Sequence, residues 1–291
     1  MSAVAGLRVV RLSHPDGAVR TALVKGDNLH VLPSDDVLGI LRGDTIPEPV
    51  QTLIALDPET LEPPPPWRLL APLIPPETWA AGVTYERSRD ARVSESQFKS
   101  VYDLVYDAER PELFLKDAAG RRTVGPGAII APRADATWTV PEPELAIVLD
   151  GDGQALAVTI GNDVSSRDIE ASNPLYVPQA KVYARACALG PALLVPADWS
   201  APFAIELRIL SVSGETLFAG QTSTARMKRS FGELISYLFR NNPLPPGTVL
   251  LTGTGLIPPD QLSLAAGHRV EIHIPGIGTL VNPVGRHDDV M

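Results

Sequence analysis

A chain of 291 residues, 44% of them apolar, is long enough to bury a substantial core, which excludes disorder as the default. Its net charge of −9 and pI near 5.1 exclude nucleic acid and anionic membrane as natural partners, because both reward clustered Lys and Arg. The single cysteine, Cys187, allows no internal disulfide; no apolar run approaches the ~20 residues that span a bilayer, and no apolar stretch follows a basic start, so the chain reads as cytoplasmic.

Leu7 to Val24 alternate apolar and polar residues on either side of His14-Pro15-Asp16-Gly17, the pattern of a hairpin opening a small N-terminal β-rich domain. Pro63 to Pro66, followed by Pro72, Pro75 and Pro76, then form a semi-rigid connector, since proline lacks an amide donor and holds an extended backbone. The expected division is residues 1–73 as N-terminal domain with linker and 74–291 as catalytic domain.

Beyond the boundary, Phe98, Val101, Tyr102 and Val105 recur at helical spacing, as do Phe231, Leu234, Ile235 and Leu238. Ser230, with Glu233 three positions on, marks the start of the second helix by a capping-box pattern. Strands are expected at Ile129-Ile130, Leu145 to Leu149, Leu156 to Asn162, Ile205 to Val212, Val249 to Gly253, Val270 to Ile274 and Thr279 to Val284. The fold class expected is mostly β (α+β), with turns supplied by 29 prolines and 23 glycines.

Chemistry concentrates at Glu142-Pro143-Glu144 and the run after the Asp150-Gly151-Asp152-Gly153 turn. Side chains of a strand alternate faces, so Glu142 and Glu144 project the same way. A hairpin that pairs Leu149 with Leu156 places Glu142 opposite Asp163 on that face, provided the register does not slip by one. Three converging carboxylates cannot all stay ionised unaided, and a hard divalent cation relieves them. All-oxygen ligands favour Mg²⁺, Mn²⁺ or Ca²⁺ over zinc, and none of the five histidines lies in this block. A solvated strand face, with Asp163 in a turn, is the alternative from spacing alone.

The Glu-x-Glu strand, Gly161 to Asp168, Lys181 followed by Cys187 to Pro191, and Leu250-Leu251-Thr252-Gly253-Thr254 resemble the fumarylacetoacetate hydrolase superfamily in order and spacing. The resemblance runs over roughly residues 74–284 and implies a mixed β-sandwich roll, often behind a small N-terminal domain. It also implies Glu142, Glu144 and Asp163 as ligands of Mg²⁺ or Mn²⁺, and a homodimer or homotetramer. Thr252 to Gly255 lacks the GK[ST] ending of a nucleotide loop, and the resemblance gives Thr254 a place against a substrate carboxylate instead.

Carbon–carbon hydrolases and decarboxylases of this family carry Asn-Tyr-x-x-His-x-x-Glu, whose His–Glu dyad activates water. Here the segment is Thr84-Tyr85-Glu86-Arg87-Ser88-Arg89-Asp90-Ala91, with Ser88 and Ala91 in the dyad positions. Neither is a general base near neutral pH. Pro111 to Lys116 and Asn173 to Tyr183 are similar to the branch of 2-keto-3-deoxy sugar acid dehydratases, which implies Glu112 and Lys181 as the two acid/base candidates, Lys181 being the preferred base and Glu112 its partner or the acid. The expected activity is metal-dependent dehydration of a 2-keto-3-deoxy sugar acid, a pentonate giving 2,5-dioxopentanoate. Ser88, Arg89, Lys116, Gln179 and Thr254 are the candidate substrate-binding residues, and Arg167 and Asp168 the expected structural partners. The competing readings are an acylpyruvate-type hydrolase or oxaloacetate-type decarboxylase with another base, and a non-catalytic binding module.

Overall fold

A computed structural model describes residues 5–95 and 104–286. The expected N-terminal hairpin forms from β1 (Arg8–Ser13) and β2 (Val19–Lys25). Gly17, at φ +89°, supplies the left-handed residue that its turn requires. β3 (Asn28–Val31) and β4 (Gln51–Ile54) continue this sheet outward. Between them lies α1 (Val37–Arg42), capped by the Asp36 carboxylate at the Gly39 amide. β5 (Arg68–Leu69) then pairs with the end of β1, so the Pro-rich connector returns the chain to the sheet.

The rest of the main sheet consists of β6 (Glu77–Gly82), β7 (Glu112–Ala118), β8 (Thr123–Val124), β10 (Pro143–Leu149), β11 (Ala155–Asp163), β13 (Cys187–Leu194) and β16 (Thr248–Leu251). Its order is β4-β3-β2-β1-β13-β11-β10-β16-β6-β7, with β5 on β1 and β8 on β13. The N-terminal strands are therefore continuous with the others through Arg8↔Leu194 and Val9↔Leu193. Parallel pairs, β16 with β6 and β13 with β8, make the sheet mixed. A second, antiparallel sheet runs in the order β15 (Thr216–Ser223), β14 (Ala204–Leu210), β17 (Arg269–Ile274), β18 (Gly278–Pro283). β9 (Thr139–Val140) and β12 (Ser165–Ser166) form a short separate pair. The helices are α1, α2 (Glu86–Glu95), α3 (Arg167–Ser172), α4 (Val177–Lys181) and α5 (Phe231–Leu238), with residues 104–107 also helical. The fold is thus mostly strand, 38% against 15% helix.

All seven residues of β10 are buried, because both faces are covered. Leu145, Ile147 and Leu149 pack toward Ile205, Leu207, Ile209, Val270 and Ile272 of the second sheet and toward Leu234 and Leu238 of α5. Ala146 and Val148 point the other way, into a layer with Leu189, Val249 and Leu251 that α1 closes with Val37, Ile40 and Leu41. Glu142 and Glu144 share the parity of this second face, so the carboxylates continue an apolar layer at its end.

Four expected elements differ, the first being the strand expected from Val249 to Gly253, which ends at Leu251. Ile130 makes only an isolated bridge to Val284, since Gly125, Pro126, Gly127 and Pro132 leave no room for a strand around it. The strand from Ile205 stops at Leu210; Val212 is 78% exposed in a turn closed by the Ser211 amide on the Glu215 carbonyl, 2.8 Å. The Ser230 cap forms, its hydroxyl accepting from the Glu233 amide at 3.1 Å, but the Glu233 carboxylate pairs with Arg229 at 2.5 Å rather than closing the box. Of the helix expected from Phe98 to Val105, residues 98–103 lie outside the described residues.

Gly161 stands opposite Glu144 across β10–β11, and a Cβ there would lie 2.3 Å from Leu251 Cδ2. Gly161→Ala is expected to lower stability by about 1–3 kcal/mol, the usual cost of overpacking a filled core. Equilibrium denaturant unfolding of the variant against the parent measures it.

Candidate active site

The carboxylates converge because the strand register brings them together. Pro143 faces Asn162 and Glu144 faces Gly161, so Glu142 comes opposite Asp163; the Asp163 amide donates to the Glu142 carbonyl at 3.0 Å. The expected pairing of Leu149 with Leu156 does not occur. A bulge after Val148 sets Leu149 against Ala155, and because the slip is confined to the turn end, the register at the carboxylates survives. Glu142, Glu144 and Asp163 are at most 3% exposed, and an oxygen from each lies within 4.8 Å of the others.

Such a cluster buried together is held by cations and one backbone donor. Lys181, the last residue of α4, places its Nζ 2.6 Å from Glu142 Oε2 and 3.0 Å from Asp163 Oδ2. Lys116 on β7 pairs with the other Asp163 oxygen and donates to the carbonyls of Val164 (3.1 Å) and Lys181 (2.5 Å), which fixes the end of α4. Arg167 at the start of α3 donates from Nη1 to Glu142 Oε1 at 3.3 Å, and its Nε lies 3.9 Å from Glu170 Oε2. Its guanidinium also lies 5.7 Å from the Trp138 ring centroid. The Gly253 amide donates to Glu144 Oε2 at 2.5 Å; Gly253 has φ +93°, and a Cβ would come 2.0 Å from Thr84 Oγ1. Burial, and next the charges of Asp163 and Glu142, drive the Glu144 carboxyl well above the ordinary carboxylate range, against the pull of Lys181 and the Gly253 amide.

Among the described residues, four buried acids, Glu142, Glu144, Asp163 and Glu170, lie with three buried cations, Lys116, Lys181 and Arg167. Three carboxylate oxygens converging within 4.8 Å suit a hard divalent ion.

A cleft opens onto this cluster. Glu112, at the start of β7, lies across Gly82, where a Cβ would meet Glu112 Oε2 at 2.1 Å; only glycine lets the carboxylate lie flat against β6. Ser88 on α2 and Thr254 line the cleft with Glu112 and Lys181. The Thr254 hydroxyl is within 3.2 Å of the Leu256 amide and carbonyl. Ser88, Glu112, Lys181 and Thr254 are thus brought together with Glu142 and Glu144. Lys116 lies behind them in the charge cluster. Arg89 and Gln179 do not line the cleft: Arg89 pairs with Asp90 (2.7 Å) and Glu86 (3.3 Å) over the Tyr106 ring, and Gln179 is exposed with its carbonyl taken by Arg133. Asp168 accepts from the Thr137 amide and hydroxyl, 2.6 and 2.8 Å. Among the lining residues not anticipated as site residues are Ala81, Gly82, Val83, Phe114 and Glu170. The available signal for Glu170 is its place three residues after Arg167, one turn along the same helix face.

Residues 80–285 match the family model described as fumarylacetoacetate (FAA) hydrolase C-terminal. The chain is 46% identical over 223 residues to 2-dehydro-3-deoxy-D-arabinonate dehydratase of Saccharolobus solfataricus, covering 75% of this chain and 74% of that one. It is 50% identical over 209 residues to a probable 2-keto-3-deoxyxylonate dehydratase of Haloferax volcanii, covering 72% of each. A solved structure of 2-keto-3-deoxy-D-arabinonate dehydratase, complexed with magnesium and 2,5-dioxopentanoate, superposes with a TM-score of 0.84 at 37% identity over 96% of this chain and 99% of that one. On the extent of these matches, the chain belongs to the fumarylacetoacetate hydrolase family.

Proposed function

We propose that this chain is a Mg²⁺- or Mn²⁺-dependent hydro-lyase that dehydrates a 2-keto-3-deoxypentonate to 2,5-dioxopentanoate. The observation that carries the reading is that Lys181 and Glu112 line one cleft with Glu142 and Glu144 of the three-carboxylate cluster, while Ser88, at the position where the family resemblance implies a hydrolase histidine, lines its wall. The names of the two dehydratase relatives and of the magnesium and product complex support the same substrate class.

Glu142, Glu144 and Asp163 fit a hard divalent ion, since they offer three buried carboxylate oxygens within 4.8 Å of one another. When bound, such an ion would withdraw charge from the 2-oxo acid head, acidify C3, and compensate the carboxylate charge that favours the ammonium form of Lys181. Lys181 takes the C3 proton. Glu112 gives a proton to the departing C4 hydroxyl, which leaves as water and creates a C3–C4 double bond. Transfer of a C5 proton to C3 then yields the C4–C5 enol, and its tautomerisation gives the aldehyde at C5. Thr254 and Ser88 border the substrate from the cleft wall. Lys116 acts as a positioning residue, because it holds both Asp163 and the Lys181 carbonyl.

We further propose residues 1–73 as a small N-terminal domain docked through β1, a cytoplasmic location, consistent with the lone buried Cys187, and a homodimer or homotetramer. Among the described residues no helix is long and apolar enough to cross a membrane. Light scattering at micromolar concentration is expected to give a dimer or tetramer mass, and a monomer would reject the assembly.

NMR-monitored turnover should show 2-keto-3-deoxypentonate consumed with Mg²⁺, lost on chelation, and acylpyruvates untouched; the reverse preference would replace dehydration by hydrolysis. Lys181→Met should lower turnover ~10²- to 10⁴-fold while the protein still binds the ion, whereas Glu142→Gln should weaken ion binding and activity together. The raised Glu144 carboxyl carries a proton below its shifted range, and the ion must displace it. Metal affinity should therefore rise with pH, and calorimetry in buffers of different ionisation heat should detect proton release, a signal that Glu144→Gln removes.

A further inference from the structure

Glu112 owes its place to the chain that delivers it. Residues 104–107 are helical, 107–110 are exposed, and the chain then enters β7 through buried Pro111, with Glu112 as the first residue of the strand. A helix that ends in an exposed bend leaves carbonyl oxygens without acceptance in a further turn. Arg229 meets them with its side chain. It is buried just before α5; Nη2 donates to the carbonyls of Val105 (3.3 Å) and Ala108 (2.6 Å), and Nη1 to that of Glu109 (3.3 Å). Nη1 also donates to Glu233 Oε1 at 2.5 Å, which anchors the guanidinium on α5, a helix packed into the core through Leu234 and Leu238. A cation is favoured at a helix C-terminus, and the planar guanidinium reaches several carbonyls at once where a compact ammonium does not. The neighbours of Arg229 hold the other wall of the cleft. The Lys228 amide donates to the Thr84 carbonyl at 3.0 Å and Met227 bridges Tyr85, directly before α2 and Ser88. Lys228 Nζ pairs with Asp107 and lies 4.2 Å from the Tyr106 ring centroid, over which the Arg89 guanidinium of α2 lies at 4.9 Å.

We propose that Arg229 is a positioning residue for the acid step: by gathering the carbonyls of Val105, Ala108 and Glu109 onto α5, it fixes the chain three residues before Glu112 and so sets where the Glu112 carboxyl stands in the cleft. Arg229 itself does not line the cleft and acts only through the backbone it holds. Displacing a reacting group by about 1 Å can cost on the order of 10²-fold in rate, so a bend fastened at three carbonyls matters to the chemistry beside it. The ion-binding carboxylates stand on the β10–β11 hairpin and just before it, while the bonds of Arg229 go to residues 105–109 and to α5. Loss of the clamp therefore reaches the acid and spares the ion. The step that Arg229 serves rests on the dehydratase reading above; the clamp does not.

Arg229→Lys, which keeps the charge and loses the fork, tests this in the full chain, alone and combined with Glu112→Gln. The single variant is expected to lower kcat on 2-keto-3-deoxypentonate by ~10-fold or more, with Mg²⁺ affinity by calorimetry within about twofold of wild type. In the Glu112→Gln background the same change should cost less than about twofold, because no acid is left to position. Hydrogen exchange gives a readout that needs no turnover: the amides of residues 108–113 should exchange about 10-fold faster in Arg229→Lys, with those of β10 and β11 unchanged. Wild-type kcat in the single variant overturns the proposal, as does a full additional loss in the double variant. Unchanged exchange at residues 108–113 overturns it too. Faster exchange across the main sheet together with weakened Mg²⁺ binding also overturns it, since Arg229 would then hold the fold rather than place Glu112. If exchange changes only at residues 108–113 but wild type dehydrates no 2-keto-3-deoxy acid, the dehydratase reading fails and the placing of Glu112 by Arg229 stands.

Discussion

Negative charge buried at the end of a closed-in β-strand is the constraint from which the rest of this structure follows. Glu142 and Glu144 leave the same face that, two residues later, packs Ala146 and Val148 against the core. A strand covered on both faces cannot present carboxylates to bulk water, so their charge must be met locally. Lys181, Lys116, Arg167 and the Gly253 amide are the local answer, and each comes from a different element. Removing any one leaves a buried charge unmatched, which typically costs several kcal/mol, so the cluster ties α3, α4, β7 and the loop after β16 to the β10–β11 hairpin.

Glycine makes that closeness possible at two places for different reasons. Gly253 adopts a backbone conformation that other residues rarely take and turns its amide toward Glu144. Gly82 has no unusual φ; it is required because Glu112 crosses the space its side chain would fill. One glycine thus supplies a donor and the other supplies room. Together they let Glu144 of β10, Glu142 just before it and Glu112 of β7 approach one cleft, and the parallel pairing of β16 with β6 puts both glycines on adjacent strands or their ends.

Much of this was legible in the residues because alternation in a strand is a strong geometric rule. Glu-x-Glu on β10 and Asp163 on the returning strand determine which groups share a face once the register is known. The register itself was less secure: the bulge after Val148 has no signature in the sequence, and it spared the carboxylates only because it lies at the turn. Side chains carried on helices were harder to place. Arg89 is one residue from Ser88, yet Ser88 enters the cleft while Arg89 lies against Glu86, Asp90 and Tyr106, since neighbouring helical positions point about 100° apart. Gln179 and Lys181 differ in the same way on a helix of five residues. Glu170 escaped notice because α3 is too short for periodicity to reveal a buried face.

The same geometry explains how a fold built to stabilise charge on a 2-oxo acid can change reaction without changing its ion-binding floor. The floor is β10, β11 and their cations, and it depends on register and burial that few substitutions would preserve. The wall is α2, where Ser88 and Ala91 are small, buried and uncharged, and their replacement leaves no buried charge behind. Small uncharged residues are accommodated there at little structural cost, while Lys181 is already held beside Glu142 and Asp163 for reasons of charge balance. Under the proposed reading, with no base for water, Lys181 acts on the substrate's own proton. Elimination follows from what the wall lacks as much as from what the floor retains.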